Sequence, residues 1–326
     1  MPRTFPLLAA CLALLSTAVP AVHADERAAF IEDTTQRHGV SAERVEAILA
    51  GAKYQQSIIN AITRPAEARP WRDYRPIFIT EQRIRDGRAF LAEHRQALDQ
   101  VEADTGVPAS MIVSIIGVET AYGRNQGSFR VLDALYTLGF HYPPRQDFFR
   151  RELGHLFALV EEEGLDIEAI RGSYAGAMGW GQFIPSSYRA YAKDGDGDGR
   201  RDLFGSLPDV FASVANYFVV HGWQPGQLVA VPAQADEGAE PFRPGNSEAN
   251  FSLAELGEKG FRPARSVGHD ARATLLTLEG AQGTEYWITF QNFYVITRYN
   301  RSPLYAMAVK QLAEAIAAGE GAQPAP

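Results

Sequence analysis

The chain has 326 residues, of which 46% are hydrophobic, so it can bury a large core in two or three subdomains. Its formal net charge is −8 and no cluster of lysine and arginine is visible, which argues against a nucleic-acid partner because phosphate binding needs a basic surface. The same charge disfavours electrostatic capture of an anionic polymer, which would have to be held by stacking and hydrogen bonds.

Residues 1–24 have the pattern of an export signal. A positive charge at Arg3 precedes a mostly apolar run over 7–19, and small residues stand before a cleavage point after Ala24. The run is too short to span a bilayer comfortably. We expect cleavage after Ala24, which leaves an exported chain without cysteine, and therefore without a disulfide, because Cys11 is the only cysteine.

The signal also offers an alternative, because the tetrapeptide that ends at Cys11 resembles a bacterial lipoprotein box. In that case Cys11 would be acylated and the protein tethered to a membrane. The apolar run continues well past Cys11, which favours ordinary cleavage.

Residues 25–105 are predicted to form an N-terminal α-helical domain. Ser41 has the composition of a helix start, apolar residues follow at helical spacing, and Gly51 is a plausible end. A segment rich in proline and aromatic residues, including Trp71 and Tyr74, is interpreted as a loop, either a buried turn between helices or part of a binding surface.

Residues 106–223 form the most regular helical block, broken by glycine-rich joints, and are predicted to be the core. Residues 224–289 differ, because short β-like runs stand among glycine, proline and asparagine turns; these runs lie at 229–231, 275–278 and 286–289. We expect a small inserted β subdomain there. Residues 290–318 return to the core as helix, and 319–326 are predicted to be a disordered tail.

One carboxylate stands out in the core. Pro108 can begin a helix, and isoleucines then recur at i, i+3 and i+4 on a face that ends, at i+7, on Glu119. Gly123 is a plausible end for this helix. A carboxyl group in apolar surroundings has a raised pKa, which suits a general acid near neutral pH. The spacing alone also allows a buried ion pair between Glu119 and a residue such as Arg124.

The segment 172–188 carries four glycines within ten residues, which permits close backbone approach to a ligand. Ser173 and Gln182 can fix a hydroxyl or acetamido group. Three aromatic side chains can stack on sugar faces: Tyr174, Trp180 and Phe183. The order of residues is not that of a phosphate loop. Tight helix packing across the glycines is the other interpretation of this segment.

An acidic, glycine-rich loop follows and resembles the calcium loop of an EF-hand. The candidate ligands are Asp194, Asp196 and Asp198, the backbone carbonyl of Arg200, and Asp209. Asp209 lies beyond position 12 of the loop, where Gly205 replaces the usual glutamate. Because carboxylates this close repel one another, we expect a structural Ca²⁺ here rather than a plain acidic surface turn.

Four motifs together resemble the lytic murein transglycosylase B family. They are GVETAYG at 117–123, AGAMGWGQFIPSSY at 175–188, SVANY at 213–217 and FYVITRYN at 293–300. The resemblance extends from about residue 27 to residue 315. Several long motifs in the same order make a chance match very improbable.

The resemblance implies a mainly α protein, with a lysozyme-like helical core, an N-terminal α-helical domain and a small inserted β subdomain. It implies cleavage of the β-1,4 bond between N-acetylmuramic acid and N-acetylglucosamine in peptidoglycan, leaving 1,6-anhydromuramoyl ends. Glu119 would be the only acid/base. The residues that would line the glycan groove are Ser173, Gln182, Tyr217, Tyr294, Tyr74 and Asn300.

No organic cofactor is expected, and the protein is predicted to be a monomer in the periplasm or, if lipidated, an outer-membrane lipoprotein. Two alternatives remain open from the sequence. The first is a hydrolytic muramidase in which a distant carboxylate activates water. The second is a catalytically inert, calcium-stabilised protein that binds the cell wall.

Overall fold

The structure, a computed structural model, describes residues 21–64, 69–242, 244–268 and 271–319. Contacts divide the chain into two compact units, Met1–Gly51 and Ala52–Pro326. Cys11, most of the predicted signal and nearly all of the predicted tail lie outside the described residues. The proposed division into signal, helical domain, core, β subdomain and tail therefore stays a prediction.

The first unit contains two helices, α1 (Ala21–His38) and α2 (Ala42–Ala50), which pack together. The hydroxyl of Ser41 accepts a hydrogen bond from the backbone N–H of Arg44 at 3.2 Å, as an N-cap residue does. Gly51 follows the last turn. The predicted start and end of this helix are both confirmed.

The second unit is mostly helical, with twelve further α-helices among the described residues. These are α3 (Gln56–Ile62), α4 (Trp71–Phe78), α5 (Glu81–Glu93), α6 (Arg95–Thr105), α7 (Ala109–Thr120), α8 (Val131–His141), α9 (Gln146–Glu163), α10 (Pro185–Tyr191), α11 (Leu207–Val220), α12 (Leu253–Glu258), α13 (Gln291–Tyr299) and α14 (Pro303–Ala317). A short 3₁₀ turn, Pro143–Arg145, precedes α9. The predicted mainly α fold is confirmed.

Helix α7 is the centre of the core, because α5, α6, α11 and α14 all pack against it. Every residue from Met111 to Val118 is buried, as expected for a helix that is apolar all round. The helix ends at Thr120, three residues before the predicted Gly123, because Ala121 adopts a left-handed conformation with φ of 51°. Among the described residues no single helix could cross a membrane; α6 and α7 together meet the length and composition test but are bent by 113°.

The segment predicted to be a loop is in part a helix, so this prediction was wrong for α4. Trp71 and Tyr74 are only 1% and 5% exposed and lie three residues apart, which places them on one helical face. That face packs against α14 and the β subdomain. Burial of two aromatic side chains outweighs the helix-breaking tendency of Pro76, which lies in the second turn of this short helix.

The predicted β subdomain contains one five-stranded antiparallel sheet. Its strands are β3 (Ala230–Ala235), β4 (Phe251–Ser252), β5 (Phe261–Pro263), β6 (Arg272–Gly280) and β7 (Gly283–Thr289), in the order β4-β6-β7-β3-β5. Leu275 pairs with Ile288, and both face a core that includes Val231 and Phe261. Two short strands, β1 (Phe129–Arg130) and β2 (Arg171–Gly172), pair separately in the helical core.

Candidate active site

Glu119 lies in the last turn of the central helix α7 and is mostly buried. The hydroxyl of Tyr305, in the first turn of α14, donates a hydrogen bond to its Oε1 at 2.5 Å. Burial raises the pKa of Glu119 to about 7, and the hydrogen bond from Tyr305 opposes that rise because it favours the ionised form. Near neutral pH the group can therefore both give and take a proton.

The alternative of an ion pair between Glu119 and Arg124 is wrong. The guanidinium of Arg124 instead lies 2.6 Å from the carboxylate of Asp86 on helix α5. Among the described residues, no guanidinium or ammonium group contributes to the pKa shift of Glu119. The carboxyl group thus keeps the apolar surroundings that a protonated acid requires.

Two tyrosines beside Glu119 were not predicted from the sequence. Tyr305 is 3% exposed, and Tyr299 at the end of α13 donates a hydrogen bond to the carbonyl of Gly181 at 2.6 Å. Burial raises the pKa of both tyrosines well above 10, and the charge of ionised Glu119 raises it further. Tyr299 lies within the motif at 293–300 that carries the family resemblance, so this motif could have indicated it as a site residue. Tyr305 has no local sequence signal.

The chain after Glu119 is held by a reciprocal pair of hydrogen bonds. Tyr122, whose φ is 60°, donates its hydroxyl to the carbonyl of Arg83 at 2.8 Å, and the guanidinium of Arg83 donates to the carbonyl of Gly117. A Cβ at Gly87 or Gly117 would overlap the tyrosine side chain. These contacts fix the end of α7, and with it the position of Glu119.

Ser173 and Gln182, the two polar residues predicted to bind a ligand, form side-chain hydrogen bonds to the backbone of their own glycine-rich segment. The hydroxyl oxygen of Ser173 accepts from the backbone N–H groups of Ala175 and Ala177 at 3.2 and 3.1 Å. Gln182 has a φ of 50°, and its side-chain amide donates to the carbonyl of Gly179 at 3.0 Å. Neither the hydroxyl proton of Ser173 nor the amide oxygen of Gln182 has a partner among the described residues, so each can still serve a ligand.

The aromatic residues of the same segment have different roles from one another. Tyr174 is 39% exposed and can stack on a ligand. Phe183 is 3% exposed and packs between the rings of Tyr217 and Tyr299, so the prediction that it stacks on a sugar was wrong. The ring of Trp180 is only partly buried, and its Nε1 donates to a backbone carbonyl at 3.1 Å.

The glycines allow the tight packing that was the other interpretation of this segment. A Cβ at Gly172 would overlap the carbonyl of Ala177, and one at Gly179 would overlap the carbonyl of Leu203. The segment is therefore tightly packed and also presents polar groups.

The remaining predicted groove residues lie in separate places. The hydroxyl of Tyr217 donates to the carbonyl of Arg298 at 2.5 Å. Tyr74 is buried within α4, and the side-chain oxygen of Asn300 accepts from the backbone N–H of Ser302 at 3.0 Å. Tyr294 lines a cavity of about 830 Å³ whose lining does not include Glu119.

The acidic loop brings three of its predicted ligands together. Asp194, Asp196 and Asp209 each place a carboxylate oxygen within 4.8 Å of the others. Asp209 is 1% exposed, lies in the first turn of α11, and accepts from the backbone N–H groups of Gly195 and Asp202 at 2.7 and 2.6 Å. Asp209 therefore closes the loop, although it follows position 12 of the EF-hand pattern.

Backbone donors also organise Asp194. Its two oxygens accept from Gly197 at 2.6 Å and from Gly199 at 2.8 Å, and these hydrogen bonds lower its pKa. Asp198 is not part of the triad, and its carboxylate instead accepts from the N–H of Arg200 at 2.8 Å. The predicted role of the Arg200 carbonyl stays a prediction. Three convergent carboxylates with spare lone pairs suit a hard cation such as Ca²⁺.

The helical fold places a carboxyl group with a pKa of about 7 beside two buried tyrosines, an arrangement that suits acid–base chemistry. A family profile described as "Transglycosylase SLT domain" matches residues 23–314. The chain belongs to this family.

Named relatives agree with that assignment. Membrane-bound lytic murein transglycosylase B of Escherichia coli strain K12 is 40% identical over 298 residues, which cover 88% of this chain and 81% of the relative. The structure of soluble lytic transglycosylase SltB1 from Pseudomonas aeruginosa is 48% identical, with a TM-score of 0.85, and the match covers 91% of this chain and all of that one. The prediction that the protein is a lytic transglycosylase, and therefore an enzyme, is confirmed.

Two further structures were solved with bound molecules. Lytic transglycosylase Slt35 of Escherichia coli, in complex with calcium, is 40% identical with a TM-score of 0.81 over 90% of this chain and 93% of that one. SltB3 of Pseudomonas aeruginosa, in complex with NAG-anhNAM-pentapeptide, is 32% identical with a TM-score of 0.79 over 93% of this chain and 82% of that one.

Proposed function

We propose that this enzyme cleaves peptidoglycan glycan strands between N-acetylmuramic acid and N-acetylglucosamine without water, and that Glu119 is its only acid/base. The observation that carries the proposal is one mostly buried carboxyl group with a pKa of about 7. Within the part of the chain that the structure describes, no aspartate or glutamate shifts this pKa. The anhydro sugar in the name of the SltB3 complex supports the same kind of product.

The reaction needs two proton transfers, one from Glu119 and one back to it. Protonated Glu119 donates to the glycosidic oxygen as the C1–O4 bond breaks, and the leaving sugar departs with a free 4-hydroxyl group. The oxygen of the substrate's own 2-acetamido group bonds to C1 and stabilises the developing cation. The muramoyl C6 hydroxyl then attacks C1, displaces the acetamido oxygen and gives its proton to ionised Glu119.

The usual water-based mechanisms place a second carboxylate about 5–9.5 Å from the acid. The ring-forming hydroxyl belongs to the same molecule, so its effective concentration far exceeds that of a competing nucleophile in solution. Tyr305 supports the first step, because its hydroxyl stabilises the ionised carboxylate that remains after Glu119 has donated its proton.

The glycan groove is proposed to include the six residues inferred from the family resemblance: Ser173, Gln182, Tyr217, Tyr294, Tyr74 and Asn300. Ser173 and Gln182 are the best supported as direct sugar contacts, because each has hydrogen-bonding capacity to spare. The hydroxyl of Tyr217 is already bonded to a backbone carbonyl, so we propose that it supports the neighbouring Tyr299.

The proposed function is tested by the chemical identity of the released ends. Purified glycan strands are digested with the wild type, with Glu119→Gln and with Glu93→Gln, an exposed control on α5, and the products are analysed by mass spectrometry. We expect anhydro ends from the wild type and the control, and a loss of about a thousandfold or more in Glu119→Gln, comparable to removal of other essential catalytic groups. Reducing ends would indicate the hydrolytic muramidase, and no cleavage by the wild type would indicate the inert wall-binding protein.

We further propose that Asp194, Asp196 and Asp209 hold a structural Ca²⁺, with Asp198 and the carbonyl of Arg200 completing the ligands. The calcium complex of Slt35 and the convergent carboxylates of this chain support this assignment. A ligand that binds only the folded state stabilises it by about 2.7 kcal/mol at a hundred times its dissociation constant. Calcium, and not sodium at equal ionic strength, should therefore raise the melting temperature. An unchanged melting temperature would contradict the calcium site.

For localisation, we propose export to the periplasm with cleavage after Ala24, and lipidation at Cys11 as the alternative. The relatives carry both descriptions, since one is named membrane-bound and another soluble. Mass spectrometry of the mature N-terminus decides between them: a chain that begins at Asp25 supports cleavage, and an acylated Cys11 contradicts it.

A further inference from the structure

Trp180 lies between the acidic loop before α11 and the end of helix α7. Its indole Nε1–H donates to the carbonyl of Phe204 at 3.1 Å, and its backbone N–H donates to the carbonyl of Leu203 at 3.1 Å. Both acceptors belong to the acidic loop, so two hydrogen bonds tie Trp180 to that loop.

The two acceptor carbonyls are themselves held in place by side chains. The carboxylate of Asp202 accepts from the backbone N–H of Phe204 at 2.9 Å, and the buried carboxylate of Asp209 accepts from the N–H of Asp202 at 2.6 Å. The hydroxyl of Tyr188, which is fully buried, accepts from the N–H of Leu203 at 3.0 Å. The two carbonyls therefore belong to a braced segment, which can serve as a fixed anchor.

The carbonyl oxygen of Trp180 meets the helical turn that carries Glu119. The hydroxyl of Thr120 lies 3.0 Å from this oxygen and 3.1 Å from the carbonyl oxygen of Ile116. Ile116 already accepts from the N–H of Tyr122 at 3.3 Å, whereas among the described residues no backbone N–H donates to the carbonyl of Trp180. Because a hydroxyl group has a single proton, we assign that of Thr120 to the carbonyl of Trp180.

The indole ring of Trp180 packs against the chain just after the same turn. Gly123, whose φ is 79°, lies so close that a Cβ there would come within 2.4 Å of the ring. The N–H of Gly123 donates to the hydroxyl oxygen of Thr120 at 3.0 Å. The centroid of the six-membered side chain of Phe90, on helix α5, lies 6.0 Å from that of the indole. Both the ring and the carbonyl of Trp180 therefore contact the residues that follow Glu119.

We propose that Trp180 is a positioning residue, which holds the carboxyl group of Glu119 beside Tyr305 by joining the end of α7 to the acidic loop. This inference rests on the proposed function, because it takes Glu119 to be the acid. Thr120 is the next residue in the chain, so a shift of the Thr120 hydroxyl also moves Glu119. Catalysis is sensitive to such a shift, because a misplacement of about 1 Å can cost about a hundredfold in rate.

The first test compares Trp180→Phe with a matched tryptophan at the other end of α7. The indole N–H of Trp223 also donates to a backbone carbonyl, that of Gly106 at 2.9 Å, just before α7 begins. On purified glycan strands, Trp180→Phe should lower kcat about tenfold and change KM by less than about twofold, and Trp223→Phe should change neither by more than about twofold. An unchanged kcat in Trp180→Phe, or equal losses of kcat in both variants, would overturn the proposal. So would a raised KM with an unchanged kcat, because the indole would then stack on the sugar.

The second test asks whether Trp180 and Thr120 act through one connection. Thr120→Val removes the hydroxyl group and should also lower kcat about tenfold. The double variant Thr120→Val/Trp180→Phe should then lose about tenfold to twentyfold, rather than the loss of about a hundredfold expected from two independent effects. A loss of about a hundredfold would contradict the connection. Melting temperatures show whether each variant is folded.

The third test uses hydrogen exchange and needs no substrate. The backbone N–H of Gly123, which donates to Thr120, should exchange about tenfold faster in Trp180→Phe than in the wild type, and at the wild-type rate in Trp223→Phe. Unchanged exchange in Trp180→Phe would overturn the inference. The proposed function fails separately, if the wild type releases no anhydro ends from glycan strands.

Discussion

The end of helix α7 and the acidic loop before α11 treat the same chemical group in opposite ways. At Glu119 the surroundings are apolar and, among the described residues, one hydroxyl group donates to the carboxylate, so burial raises the pKa to about 7. At Asp194 several backbone N–H groups donate to an exposed carboxylate and lower its pKa. One environment produces an acid that exchanges protons, and the other keeps a carboxylate ionised for a cation.

The difference also shows where stability is given up for function. A carboxyl group that folding buries without a counter-charge costs folding free energy once it ionises. The loop carboxylates are instead satisfied by backbone donors, and Asp209 alone closes the loop at two points, Gly195 and Asp202. Ionisation of Glu119 therefore destabilises the folded state, whereas the backbone hydrogen bonds to the loop carboxylates stabilise the loop.

Of the substitutions considered, loss of the Asp209 carboxylate should reduce the stability of the folded state most. Asp209→Asn should lower the free energy of unfolding by about 2–4 kcal/mol in the absence of calcium, because an amide cannot accept both buried backbone N–H groups. Chemical denaturation in a calcium chelator measures this. Asp196→Asn is the control, since Asp196 is exposed and should cost less than about 1 kcal/mol. Equal costs would show that Asp209 does not close the loop.

Ionisation of Glu119 should lower the free energy of unfolding. Because its folded pKa of about 7 exceeds the unfolded value near 4.5, the folded state holds the proton more tightly, and stability falls as pH rises between these values. Glu119→Gln removes that loss. It should match the wild type at pH 4 and exceed its stability by about 2–3 kcal/mol at pH 8. A constant difference across pH, measured by urea denaturation, would contradict the raised pKa.

The hydrogen bond from Tyr305 opposes the rise in the pKa of Glu119 that burial causes, and its removal should have the smallest effect. Tyr305→Phe removes the donor to ionised Glu119, so the pKa of Glu119 should rise further and the alkaline fall of kcat/KM should move to higher pH. The rate at the optimum should fall by about tenfold, the value of one hydrogen bond to a charged group. Tyr136→Phe on α8 serves as control. A lower rate with an unchanged pH profile would mean that Tyr305 acts only through packing.

Local patterns in the sequence predicted much of the fold. The cap at Ser41, the strands of the β subdomain and the helix from Pro303 all follow from spacing and turn residues, which depend on neighbours within a few positions. The same spacing placed Glu119 at the end of an apolar helix. These predictions succeeded because the interactions behind them are short in sequence.

The surroundings of those residues depend on contacts between distant parts of the chain. Tyr305 meets Glu119 from 186 positions away, and no periodicity in either segment predicts that contact. Trp71 and Tyr74 form a helix despite Pro76 because distant elements bury them, and Phe183 is enclosed by aromatic rings rather than open to a sugar. Local sequence was enough to predict which chemical groups are present and which helices, strands and loops carry them. Long-range packing decided which groups are dry, which are charged and which can reach a ligand, because burial and desolvation depend on the whole fold.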